Sequence, residues 1–218
     1  MTKNHNLSFV HQFVPATAPG RTPLLLLHGT GGDENDLLGL GSALSPGAAL
    51  LSPRGQVLEH GMPRFFRRLA EGVFDEDDLK TRAADLAGFI DAARTAYGLP
   101  APIAIGFSNG ANIAAALLLL HRKALAGAIL LRAMAPFRAP VTPNNASTEH
   151  NGVPVLVLSG AMDPIVPADN AARLVGSLRE AGHAVDHETL PAGHNLTQAD
   201  MSLAKRFLES QFIANEPA

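Results

Sequence analysis

A pentapeptide, Gly106-Phe107-Ser108-Asn109-Gly110, stands between an apolar extended run at residues 102–105 and a long apolar helical run at residues 111–120. Few features restrict a fold as tightly, because this context puts a serine on a sharp turn from strand to helix. The chain passes so close to itself there that the positions flanking Ser108 favour residues without a Cβ, which Gly106 and Gly110 supply. The hydroxyl is held clear of the sheet, beside the positive end of a helix dipole. The bare G-x-S-x-G pattern arises by accident in roughly a tenth of chains this rich in glycine, so its weight comes from the setting.

That setting recurs along the chain. Extended apolar runs at residues 7–14, 23–27, 48–51, 102–105, 127–131, 153–158 and 185–190 alternate with amphipathic stretches, the pattern of a mostly parallel sheet with helices on both faces. The first run, where Phe9 and Phe13 share a face, reads as an antiparallel edge strand. Leu79, Ala83, Leu86, Ile90, Ala93 and Tyr97 recur at steps of four and three, with the acidic run 75–78 before them and Gly98 and Pro100 after, which predicts one long helix. A second helix is expected over 168–181, stopped by Gly182, and a last one from Thr197, where Thr197-Gln198-Ala199-Asp200 resembles a capping box. Residues 139–152 read as an exposed loop and 215–218 as a fraying tail. At 218 residues the chain fits one α/β domain, 1–218, without repeats or linkers.

Composition narrows the function by exclusion. A net charge of -3 offers no basic surface for nucleic acid, and the absence of cysteine removes disulfides, thiolate metal sites and a cysteine nucleophile. The N-terminal residues lack the continuous apolar core of a signal peptide, and the longest apolar stretch, 113–120, is far short of the ~20 residues that span a bilayer. The expectation is a soluble cytoplasmic protein with a small-molecule partner, no nucleic acid and no membrane span. Its oligomeric state is left open, a homodimer being compatible.

A serine hydroxyl is a weak nucleophile unless a histidine takes its proton and an acid orients that histidine. Of nine histidines, His194 is the best placed, following the last expected strand and preceding the final helix. Asp163 follows the strand at 153–158. In an open α/β sheet, residues beyond the carboxyl ends of strands converge on one edge, so Ser108, Asp163 and His194 can meet. Taken singly, Asp163 before Pro164 reads equally as a turn former and a loop histidine as a solvated group. Asp186 and Glu188 are weaker acids for the role because they lie within a strand, though Asp186 could support the site from behind. The run 24–27 leads into His28-Gly29-Thr30-Gly31-Gly32, whose Thr30 backbone N–H, with that of Asn109, is the expected pair of oxyanion donors. His28 reads as a support for this loop. The loop has neither a G-K-[ST] ending nor G-x-G-x-x-G, so phosphate binding is disfavoured. His183 and His187 could share one side of a strand, but no further ligands accompany them and a metal site is not expected.

Selectivity is harder to read. Residues 61–68 place Phe65 and Phe66 among Arg64, Arg67 and Arg68. One reading tucks a phenylalanine into the core of a surface segment; the other has Phe65 or Phe66 line an acyl or aromatic pocket to which an arginine such as Arg64 draws an anionic substrate. A short cover at residues 134–139 would bring Met134 and Phe137 to the pocket rim, a minimal lid.

Together, residues 27–34, 106–110, 160–167 and Gly193-His194 resemble the phospholipase/carboxylesterase branch of the α/β-hydrolases, which includes acyl-protein thioesterases and small bacterial carboxylesterases. Residues 53–55, Glu59, Gly61-Met62 and 64–68 look closest to bacterial hydrolases linked to hydroquinone and quinone stress. The resemblance implies an α/β-hydrolase fold, a Ser108–Asp163–His194 triad, an oxyanion hole at Thr30 and Asn109, and no cofactor or metal. Asn109 stands where acyl-protein thioesterases usually have glutamine. The expected activity is cleavage of carboxylic esters of small to medium acyl groups through an acyl-enzyme. Thioester cleavage, hydrolysis of aromatic breakdown products and a catalytically silent ligand-binding protein are the alternatives.

Overall fold

A computed structural model describes residues 7–142 and 152–212. The expected tail at 215–218 and most of the expected loop at 139–152 lie outside the described residues.

Alternation of side chains along short apolar strands divides the interior into two layers. Seven strands form one sheet in the order β1-β3-β2-β8-β9-β10-β11: β1 (His11–Val14), β2 (Leu24–Leu27), β3 (Leu50–Pro53), β8 (Ile103–Phe107), β9 (Gly127–Leu131), β10 (Pro154–Gly160) and β11 (Ala184–Leu190). Every pairing is parallel except that of β1 with β3, which makes β1 the antiparallel edge. Leu25, Leu27, Ala104, Leu130, Val155 and Val157 belong to one core cluster. Their sequence neighbours Leu24, Leu26, Ile105, Ile129, Leu156 and Leu158 belong to the other, as a period of two requires of strands buried on both faces.

The first layer is covered by α2 (Glu76–Tyr97), α3 (Asn109–Leu120) and α4 (Ala168–Glu180), the second by α1 (Leu38–Leu44) and α5 (Gln198–Phe212). All twelve residues of α3 are buried, consistent with its lack of a polar face. Asp75 caps α2 by accepting the Asp78 N–H at 3.1 Å, and Gly98 ends it in the left-handed region at φ 67. The Asp200 carboxylate reaches back to the Thr197 N–H at 2.7 Å and so supplies the expected capping-box bond of α5.

Boundaries differ from the sequence reading in instructive places. The strand expected at 48–51 runs from Leu50 to Pro53; Ala48 and Ala49 are buried ahead of it, and the Ala49 carbonyl accepts the Leu24 N–H at 2.9 Å. The expected run 7–14 pairs only from His11. Between β3 and α2 the chain makes two small antiparallel sheets, β4 (Val57–Glu59) with β5 (Met62–Arg64) and β6 (Arg68–Ala70) with β7 (Val73–Phe74). Among the described residues no helix is long and apolar enough to cross a membrane.

Candidate active site

The turn after β8 is as tight as its glycines suggest. Ser108 sits at φ 52 and ψ -113, a conformation that costs a side-chain-bearing residue roughly 1–3 kcal/mol and persists only when its surroundings fix it. They do so here: the Ser108 N–H donates to the Leu131 carbonyl at 2.9 Å, and its own carbonyl accepts the Asn112 N–H at 3.0 Å. A Cβ on Gly106 would stand 2.6 Å from the Gly110 carbonyl oxygen, and one on Gly110 would run into the Leu27 carbonyl. Ser108 therefore projects from the carboxyl end of the sheet.

Two further strand ends deliver the partners. Asp163 lies in the turn after β10, and its Oδ1 accepts the N–H groups of Ile165 at 2.8 Å and Val166 at 3.1 Å. Its Oδ2 receives His194 Nδ1–H at 2.8 Å, while His194 Nε2 lies 3.0 Å from Ser108 Oγ. The aspartate thus forms a turn with one oxygen and holds the imidazole with the other, so its two readings coexist. An ionised carboxylate only accepts, which places the proton on Nδ1 and leaves the Nε2 lone pair facing the hydroxyl. The Asp163 side chain is fully buried and that of His194 is 17 % exposed. This arrangement can withdraw the hydroxyl proton as the oxygen attacks. Asp186 is exposed on β11 and takes no part.

Thr30 and Asn109 face the same pocket. Asn109 opens α3, where a backbone N–H has no partner within the helix. The Thr30 loop is braced from beneath. His28 Nδ1–H donates to the Gly29 carbonyl at 2.7 Å, and Nε2 accepts the Gly55 N–H at 2.9 Å. Burial holds the His28 pKa below its ordinary value, in keeping with a neutral ring. Glu34 and Arg54 form a two-pronged pair at 2.5 and 2.6 Å, linking the loop to the turn after β3.

Residues 61–68 complete this frame. Arg64 Nη1 donates to Thr30 Oγ1 at 2.8 Å, the Gly31 N–H reaches the Pro63 carbonyl at 2.9 Å, and the Phe65 N–H donates to Asn109 Oδ1 at 2.8 Å. The segment therefore touches both loops expected to bind the oxyanion. Glu59 bridges Arg64 at 3.1 Å and Arg68 at 2.8 Å, and the Arg68 hydrogen bond holds its carboxyl below the usual range.

A cavity of about 240 Å³ opens at Ser108. Of the five residues expected to contact substrate, Arg64 and Met134 line it and Phe65, Phe66 and Phe137 do not. Phe65 is 2 % exposed with its ring 4.7 Å from that of His28, and Phe66 is fully buried with its ring edge-on to Phe74 at 5.0 Å. Both rings gain more from leaving water than from lining a wet pocket, and the arginines between which they lie carry the polarity of the segment. Phe137 borders a separate depression with Leu119 and Pro140. The apolar wall of the cavity is instead built by Phe74, Phe107, Ile165 and Val166. Ile165 and Val166 were within reach of sequence reasoning, since the Asp163 turn that orients the acid carries them to the rim.

Among the described residues no three histidine or acidic side chains converge as metal ligands would. His183 accepts the Val153 N–H and contacts the Leu118 carbonyl, while His187 faces Ser159 Oγ at 3.0 Å, so the two serve separate local roles.

A family model described as Phospholipase/Carboxylesterase matches residues 11–212. The chain is 44% identical over 192 residues to the putative hydrolase MhqD of Bacillus subtilis, covering 87% of this chain and 94% of that protein. The crystal structure of the Bacillus cereus carboxylesterase superposes with a TM-score of 0.89 at 42% identity, covering 95% of this chain and 96% of that one. A carboxylesterase from Mesorhizobium loti gives 0.83 at 31% identity over 93% and 95% of the two chains.

Proposed function

Because the chain belongs to the phospholipase/carboxylesterase family of α/β-hydrolases, we propose that it is a serine carboxylesterase whose nucleophile, base and acid are Ser108, His194 and Asp163. The unbroken relay from Asp163 Oδ2 through His194 to Ser108 Oγ is the observation that carries this reading.

Ser108 Oγ attacks the ester carbonyl carbon as its proton passes to His194 Nε2. The carbonyl oxygen becomes an oxyanion, stabilised by the backbone N–H groups of Thr30 and Asn109, each such donor contributing about 3 kcal/mol. Asp163 keeps the ring oriented and offsets the positive charge that develops on it. Collapse of the intermediate breaks the bond to the alcohol oxygen, which leaves with the proton from Nε2 and gives an acyl-Ser108. A water molecule, deprotonated by the same nitrogen, then releases the acid and restores the serine.

The substrates are esters of small to medium acyl groups, in keeping with a cavity of about 240 Å³ walled by Phe74, Met134 and Val166. A series of aryl esters from acetate to decanoate, set beside thioesters of equal acyl length, tests this. The expected result is kcat/KM highest at short or medium chains and higher for ester than thioester. Preference for long chains or for the thioester would overturn it.

A further inference from the structure

Arg132 follows β9 directly and is one of three non-glycine residues with a left-handed backbone among those described, at φ 55. Its side chain is 0 % exposed. A guanidinium has five N–H donors, and the five bonds of Arg132 match that number. Nη1 and Nη2 hold the Asp200 carboxylate at 2.7 and 2.9 Å. Nη1 also reaches the Leu158 carbonyl at 3.2 Å, at the end of β10. Nε donates to the Gly193 carbonyl at 2.9 Å and Nη2 to the Asn195 carbonyl at 3.1 Å. The residue between those two carbonyls is His194.

Burying an ion pair is a poor route to stability, since well-packed apolar side chains of similar volume do as well or better. What a planar, rigid fork supplies instead is geometry. Asp200 sits in the first turn of α5, and burial would raise its pKa, but Arg132 and Thr197 together hold it low. The carboxylate therefore stays ionised and fixes the fork. The imidazole of His194 must reach Asp163 on one loop and Ser108 on another, each within a hydrogen-bond length. Its own loop follows β11, the edge strand of the sheet, and its start is tied to the Asp163 turn by the Met162 N–H on the Ala192 carbonyl at 3.0 Å, which leaves the stretch around His194 to be fixed.

We propose that Arg132 is a positioning residue for His194, clamping the backbone on both sides of it so that the ring spans Asp163 and Ser108. The inference rests on His194 being the catalytic base. Lysine cannot substitute: an ammonium is a single point with three donors and cannot hold Asp200, Gly193 and Asn195 at their separate places.

The paired variant Arg132→Met with Asp200→Leu removes the clamp without leaving a buried charge unpaired, and Arg132→Lys keeps the charge but not the fork. Each is compared with wild type and with His194→Ala for thermal unfolding, for kcat and KM on an aryl acetate, and for the downfield proton resonance of His194 Nδ1–H. The expected result is a cooperative melt, KM within about threefold of wild type, kcat down by about 100-fold, the loss associated with a ~1 Å misplacement, and a weakened or shifted resonance. If the paired variant does not fold, a folded Arg132→Lys carries the test alone. Wild-type kcat in either folded variant, with His194→Ala inactive, overturns the clamp; an active His194→Ala overturns the base assignment beneath it.

Discussion

Two regions meet at the pocket, and they are built by opposite means. Ser108, Asp163 and His194 each stand just beyond a parallel strand, so the sheet sets their separation before any side chain is chosen. The excursion between β3 and α2 has only strands of two or three residues. It is pinned by ion pairs instead: Glu59 with Arg64 and Arg68, and Arg67 with Asp75 at 2.8 Å. Arg67 and its like are exposed and worth little singly, but the two buried phenylalanines and the bonds from Arg64 and Phe65 tie the excursion to the core and to the loops of Thr30 and Asn109. The proposed triad thus stands on the scaffold alone, while the cavity wall is shared, Arg64, Arg68 and Phe74 coming from the attached segment and Phe107, Ile165 and Val166 from the scaffold.

Substitutions in the proposed triad should produce the largest effects. His194→Ala is expected to lower kcat on an aryl acetate by up to ~10⁶-fold and Asp163→Asn by about 10⁴-fold, with midpoints of thermal unfolding close to wild type. A loss below 100-fold for His194→Ala would mean that the sheet edge does not hold the base. In the attached segment the cost should fall on stability. Phe66→Ala removes a fully buried ring and should cost about 3–5 kcal/mol in urea unfolding while KM stays near wild type. A raised KM with an unchanged urea midpoint would return Phe66 to the pocket wall.

Met134 offers a milder test, because it lines the cavity from outside both regions. Met134→Ala should move the acyl-length optimum upward, changing discrimination between neighbouring chain lengths by ~1–3 kcal/mol; an unaltered profile would place the acyl group elsewhere. The smallest effect concerns pH. The folded protein holds His28 below its ordinary value of 6.5, so below pH 6.5 the unfolded chain binds a proton that the folded chain refuses. Stability from this group is complete above 6.5 and is lost as pH falls toward the folded value. Burial lowers His121 and His187 in the same direction, so His28→Gln should flatten the fall in melting temperature between pH 7 and 5 without abolishing it. An unchanged slope would show that His28 titrates alike in both states.

The five inner strands of the sheet were legible because buried parallel strands leave continuous apolar runs bounded by glycine and proline, whereas the edge strands β1 and β11 are half-exposed and show only alternation; Ser108, Asp163 and His194 could be picked out because each follows one of the expected strands. The excursion was not. Strands of two or three residues carry no period to count, and Phe65 and Phe66 stand beside arginines that pull a sequence reading toward the surface. Helix α1 was hidden because Gly39 and Gly41 interrupt its leucines. Arg132 ends an apolar strand with no visible partner, since Asp200 lies 68 residues away along the chain and only the fold brings them together.

One competitor to the proposed nucleophile exists among the described residues. Ser159 also faces a histidine, His187, at 3.0 Å, but no described carboxylate hydrogen-bonds that ring and no helix begins beside it. Labelling with a fluorophosphonate followed by peptide mass mapping separates the two most directly. One adduct is expected, on Ser108, absent in Ser108→Ala and strongly slowed in His194→Ala. An adduct on Ser159, or a folded wild-type protein that takes no label, would contradict it.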